Sequence, residues 1–206
     1  MADSNKVGAT NAGRGDPRSA LRRRDRGKHD AWVVAFLKRA SYGFLATVGE
    51  EGQPFLNSNL FVYDDTGDAH RIYLHTHRTG RTRANLEAAE KVAFSTVAMG
   101  RLLPAPEALE FSVEYAGVVV FGTGRVVEDR EEARAALQVL LDKYAPHLRP
   151  GVDYRPTTDE ELKRTAVYRI DIEAWSGKQK EVPADFPGAF ALEAPPVPFP
   201  GRAPAG

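Results

Sequence analysis

The residues with chemistry to offer lie together in the stretch RIYLHTHRTGRTRANL, Arg71 to Leu86. Its first half alternates as a strand does: Ile72, Leu74 and Thr76 point one way, Tyr73, His75 and His77 the other. The strand breaks at Thr79-Gly80, and a helix follows with Arg81, Thr82 and Arg83 in its first turn. A strand therefore delivers imidazoles to a rim, and beside that rim a helix begins with guanidiniums. Cations in a first turn oppose the helix dipole, which prefers anions there. They make sense if a phosphate sits against them and the free N–H groups of the turn. The competing reading is a plain strand–helix connection with solvated arginines. Within the stretch, His75 is the best proton donor or acceptor, because an imidazole titrates near neutral pH. Its bland alternative is a strand-end histidine satisfied by a backbone carbonyl. His75 and His77 share a face, but a metal site lacks a third ligand nearby.

A second set lies upstream. From Phe55 to Tyr63, Leu56, Ser58, Leu60 and Val62 share one face, and Phe55, Asn57, Asn59, Phe61 and Tyr63 the other. Asn57 and Asn59 between aromatics suit the edge of a planar heterocycle, where amides bond ring nitrogens and oxygens while aromatics cover its face. A solvated face is the alternative.

These residues need a scaffold, and the chain can build one. It has 206 residues, of which 42% are hydrophobic, enough for one ordinary domain with tails. Lys+Arg and Asp+Glu both number 28, so no overall charge draws the chain to nucleic acid or acidic membranes. Cysteine is absent, which excludes disulfides, thiol nucleophiles and iron–sulfur clusters and fits a cytoplasmic protein. No apolar run approaches a membrane span, and no secretory leader is visible. With no redox side chain of its own, the protein can reduce a substrate only through a bound cofactor.

Residues 1–28 read as a basic polar tail, disordered or an arm on a partner, with Arg22, Arg23, Arg24, Arg26 and Lys28 as a basic run. Residues 29–181 read as the folded domain and 182–206 as a Pro/Ala-rich tail. Asp30 is the expected N-cap of a helix over 31–40. Strands are expected at Phe44–Val48, Phe55–Tyr63, the opening stretch, Lys91–Val97, Phe111–Val127 and Ala166–Ala174, with a long loop from Met99 to Glu107. Asp129 caps a helix to about Tyr144, and Thr158-Asp-Glu-Glu161 is a capping box. Strands joined by short hairpins, with few helices, predict a mainly β fold, an antiparallel barrel.

Six motifs carry a resemblance: Phe44-Leu-Ala-Thr-Val48, Tyr73-Leu-His-Thr76, Gly80-Arg-Thr-Arg83, Val118-Val-Val-Phe-Gly122, Leu162-Lys-Arg-Thr165 and Trp175-Ser-Gly-Lys178. In this order and spacing they resemble the pyridoxamine 5'-phosphate oxidase-like, FMN-binding split-barrel family, and within it the Nim-type 5-nitroimidazole resistance proteins. The resemblance implies a six-stranded Greek-key split β-barrel and a homodimer with flavin sites between subunits. It makes His75 the active-site histidine, which in Nim-type proteins can carry a covalent pyruvate-like group. It makes Thr76, Arg81 and Arg83 phosphate-side contacts, counts Thr82 among the cofactor-binding residues, and places Trp175 and Lys178 near the cofactor. FMN is the expected cofactor, with FAD or F420 as alternatives. Arg83 stands where FMN-binding relatives commonly have lysine, and His77 where a small or amide residue is usual. The implied activity is a flavin-dependent oxidoreductase acting on nitroaromatic or other small heterocyclic substrates. The alternative is a non-catalytic flavin- or haem-binding barrel that stores or senses its cofactor.

Overall fold

A computed structural model describes residues 16–67 and 69–192. Eight strands form one sheet: β1 (Gly27–Lys28), β2 (Gly43–Val48), β3 (Pro54–Asn59), β4 (Val62–Asp64), β5 (Arg71–His77), β6 (Lys91–Leu103), β7 (Ser112–Val126) and β8 (Thr165–Lys180). The described helices are α1 (Asp30–Arg39), α2 (Arg81–Ala88), α3 (Arg130–Tyr144) and α4 (Asp159–Leu162). Every strand pairing is antiparallel, in the order β3-β2-β6-β7-β8-β5-β4, with β1 added beside β8. The expected mainly β architecture is the observed one, a sheet curled into a split barrel. The six expected strands are joined by two short ones.

The alternation read from the sequence sorts side chains between two cores. Leu45, Phe61, Leu74, Phe94, Val120, Tyr168 and Ile170 fill the barrel, with Val33 and Leu37 of α1 packed on them. Val62, Tyr73 and Val167 face the other way and pack on Ala133, Ala136 and Leu140 of α3. Gly43 permits the tight packing at one end, since a Cβ there would lie 2.1 Å from the Phe94 ring.

The run Phe55–Tyr63 is two strands rather than one. The chain leaves β3 after Asn59 and joins β4 at Val62, at the opposite end of the strand order. No pairing joins β3 to β4, so a seam remains, crossed by Leu60-Phe61. Phe61 turns inward, fully buried, edge-on to Phe94. Its N–H donates to the Tyr144 hydroxyl at 3.0 Å, and its carbonyl accepts from Lys143 Nζ at 2.9 Å. Helix α3 thus supplies the partners that a neighbouring strand would have given.

Other boundaries also moved. His29, not Asp30, caps α1, its Nδ1 accepting from the Trp32 N–H at 3.3 Å. Asp30 sits in the first turn, and its carboxylate accepts from Trp175 Nε1 at 2.9 Å. Strand β6 runs on to Leu103 where a loop was expected. A register shift between Met99 and Leu102 spoils the alternation there, and Arg101 turns to Glu114 at 2.8 Å. Strand β8 continues beyond Ala174 through Trp175-Ser-Gly-Lys178 to Lys180. Helix α3, capped by Asp129, and the capping box at Thr158 lie where the sequence put them.

Both flanks pack on the same chain where they are described. Arg18 pairs with Glu173 at 3.0 Å, and Arg26 donates to the Tyr115 hydroxyl at 3.1 Å. Leu102 and Phe190 exchange backbone hydrogen bonds. The rest of the expected tails, 1–15 and 193–206, lies outside the described residues.

Candidate functional site

Strand β5 positions the site by its two faces. Thr76 follows Leu74, and its hydroxyl meets that of Tyr168 at 2.9 Å. His75 follows Tyr73 to the α3 side. There it lines a cleft of about 360 Å³ with Leu60 and with Leu137, Leu140, Leu141 and Tyr144 of α3. The Arg155–Glu161 ion pair, at 2.8 Å, stands at the same cleft. His75 is exposed to solvent, and the apolar neighbours on its cleft side desolvate it only in part, pulling its pKa below the ordinary 6.5. Among the described residues its ring has no hydrogen-bond partner, so the carbonyl of the bland reading is not there. His77 is exposed, and its Nδ1 accepts from the Thr79 N–H at 3.3 Å.

Lys143 forms part of the seam beside this cleft. Its ammonium lies 3.9 Å over the Phe61 ring, and burial pulls its pKa down to about 8.

Gly80 turns the strand into α2 with φ 152° and ψ 172°, a region that only glycine occupies comfortably. No side chain caps the helix start, so its first N–H groups lack a side-chain acceptor at the cap. Arg81 is exposed and lies 4.9 Å over the Phe55 ring, with no acidic partner among the described residues. Thr82 is buried and accepts from Asn57 Nδ2 at 3.1 Å, which ties β3 to α2. Arg83 is already engaged, by Glu87 at 2.7 Å and Glu128 at 3.4 Å. Two residues from Asn57, Asn59 holds a buried Oδ1 that has no hydrogen-bond partner.

Asn57, Arg81 and Thr82 therefore come together around the first turn of α2, with Arg83 on the same turn and His75 and Thr76 on the strand leading to it. Trp175 and Lys178 do not join them in this chain. Thr165 of β8 is level with His77, so Trp175 lies ten residues farther along the strand. At ~3.3 Å per residue that is roughly 30 Å of chain. Trp175 packs in the core against His70, ring centres 4.8 Å apart, while Lys178 pairs across β1 with Gly27. Sequence reasoning missed Lys143, Tyr144 and the α3 wall of the cleft. The spacing of Leu137, Leu140, Leu141 and Tyr144 was legible, but it reads equally as a face buried in a core.

Residues 29–179 match the family model described as pyridoxamine 5'-phosphate oxidase. The chain belongs to that family. None of the curated proteins matches it. Among solved structures, the fold resembles a flavocytochrome from Azotobacter vinelandii, with TM-score 0.68, 22% identity and 91% of each chain covered. It also resembles the FAD and heme binding protein of Mycobacterium smegmatis, with TM-score 0.67, 21% identity and coverage of 87% of this chain and 91% of that one. A putative 5-nitroimidazole antibiotic resistance protein from Bacteroides thetaiotaomicron follows at TM-score 0.60 and 18% identity, over 74% of this chain and 84% of its own. At these identities the likeness is one of fold. No described helix is long and apolar enough to cross a membrane, and no described group of three acidic or histidine side chains could hold a metal ion.

Proposed function

We propose that this family member is a flavin-nucleotide-binding oxidoreductase that holds the flavin phosphate at the first turn of α2. The observation that carries this reading is Arg81, an arginine without an acidic partner at a helix start that no side chain caps. A phosphate supplies what both lack. The surroundings fit the rest of a flavin: Asn57 and Thr82 fix the turn, and the unpartnered Asn59 Oδ1 is an acceptor suited to a ring N–H. FMN meets these features with the fewest groups; FAD and F420 carry the same phosphate chemistry.

A bound flavin would supply the electrons, which no side chain here can. The chain's own part is positioning and proton handling. The open cleft beside His75, apolar on its α3 side and charged at Arg155 and Glu161, suits a flat polar ring such as a nitroimidazole or another small heteroaromatic. His75, its pKa lowered by partial desolvation, can in its neutral form donate a hydrogen bond from one ring nitrogen and accept a proton on the other. Its unpaired ring also leaves a nitrogen open to a pyruvate-like adduct. The exposed apolar side chains Leu56, Leu60, Val97 and Met99 support a homodimer that covers the site.

The test is optical. Purified protein is titrated with FMN and FAD, then given NADPH and a nitroimidazole. Flavin uptake, bleaching by NADPH and reoxidation by the nitro compound are the expected results. A protein that takes up no flavin sinks the reading. The non-catalytic alternative is favoured by the two neighbours whose names join flavin or FAD with cytochrome or heme. His75, whose ring has no hydrogen-bond partner among the described residues, is the imidazole suited to a haem iron. A stable yellow or red spectrum indifferent to reductant would favour that alternative.

A further inference from the structure

A second cleft, of about 250 Å³, opens where the ends of β7 and β8 meet α3 and α4. Arg78, Arg83, Arg130 and Lys163 line it, against the carboxylates of Glu128 and Asp159. Most of these charges are already paired, Arg130 with Asp159 at 3.9 Å and Arg83 with Glu128 at 3.4 Å. Glu87 and Glu160, outside the lining, pair with Arg83 at 2.7 Å and Lys163 at 2.5 Å. Arg78, by contrast, makes no ion pair among the described residues and reaches only the Lys163 carbonyl, at 3.4 Å. The lining also has an aliphatic part in Val127, Ala133 and Leu162.

That mixture matches a nucleotide piece by piece. Guanidiniums take phosphate, carboxylates take ribose hydroxyls, and an aliphatic floor takes a base. Arg83 belongs both to this cleft and to the first turn of α2, so the two lie side by side. We propose that the cleft is a subsite for an adenosine phosphate. The inference rests on the flavin reading for the source of that group. One source is the AMP half of FAD, extending past Arg83 from the α2 turn. The other is the adenosine end of a nicotinamide dinucleotide donor.

The experiment is equilibrium titration of the full chain with FMN, FAD, ADP and NADPH, for the natural protein and for Arg78→Ala/Arg130→Ala. FAD should bind at least about tenfold more tightly than FMN, the fold-change of one charge-assisted contact. The double variant should reduce FAD affinity to the FMN level and leave FMN unchanged, and ADP should compete with FAD but not with FMN. If FAD and FMN bind alike while ADP competes with NADPH and the double variant loses both, the subsite stands and serves the donor. ADP binding without any flavin binding would sink the flavin reading and keep the subsite. No ADP binding, with FAD and FMN alike in both proteins, overturns it. So does a parallel loss of FMN affinity in the double variant.

Discussion

Replacing Arg81 by alanine should separate cofactor binding from folding. In the free protein Arg81 touches only the Phe55 ring, at 4.9 Å, on an exposed surface. Such a cation–π contact contributes ~0.5–1 kcal/mol. Against it stands the cost of a cation at a helix N-terminus, ~0.3–1 kcal/mol. The two nearly cancel, so Arg81→Ala should change stability by no more than about 0.5 kcal/mol, or roughly 2 °C in Tm for a domain of this size. A guanidinium–phosphate contact is larger, ~1.5–3 kcal/mol. Its loss weakens flavin binding by about 10- to 150-fold. Thermal melts without ligand and fluorescence-quenching titrations with FMN measure the two numbers. An unchanged flavin affinity beside an unchanged melt would refute the placement of the phosphate. A large fall in Tm would refute the view that Arg81 is idle in the empty fold.

Three further outcomes follow from the other side of β5. Tyr144→Phe removes the hydroxyl that accepts from the buried Phe61 N–H, while the Phe61 carbonyl keeps Lys143. It should cost ~1–3 kcal/mol in urea unfolding, the penalty of one unsatisfied buried donor, and no loss would mean that the phenol does not hold the seam. Lys143 is pulled down to about 8 from its ordinary 10.5 by burial. Between those values the unfolded chain binds the proton more readily, so stability should rise with pH across that window, and Lys143→Met should abolish the rise. His75 has its pKa lowered by burial, so stability should fall as pH drops through the ordinary 6.5, where the unfolded chain takes the proton first. His75→Ala should remove that fall and abolish turnover while the protein still folds; retained turnover would exclude His75 from the chemistry.

The sequence revealed the elements whose signals are local. Helix α3, the capping box at Thr158 and the strand–turn–helix from Arg71 to Ala88 each announce themselves within a few residues, through a cap, a glycine or a period. What stayed hidden depends on contacts far apart in the chain. Nothing near Phe61 shows that its strand breaks, because the groups that satisfy its backbone sit at Lys143 and Tyr144. Asp30 looks like a cap until Trp175, 145 positions later, is seen to need its carboxylate. The site was legible to the same degree. The order of His75, Gly80 and Arg81 shows in the sequence, but the apolar cleft beside His75 comes from α3, and the engagement of Arg83 by Glu128 comes from the turn before it.

The stitched seam has a consequence for how the chain comes off the ribosome. Phe61 and Tyr144 are separated by 83 positions, so a growing polypeptide leaves the Phe61 N–H and carbonyl without these partners until α3 emerges. Through that interval the bare Phe61 backbone and the apolar face of Val62 and Tyr73, which α3 later covers, stand open to any passing strand. A chain cut short before α3 should therefore aggregate rather than persist as a smaller barrel.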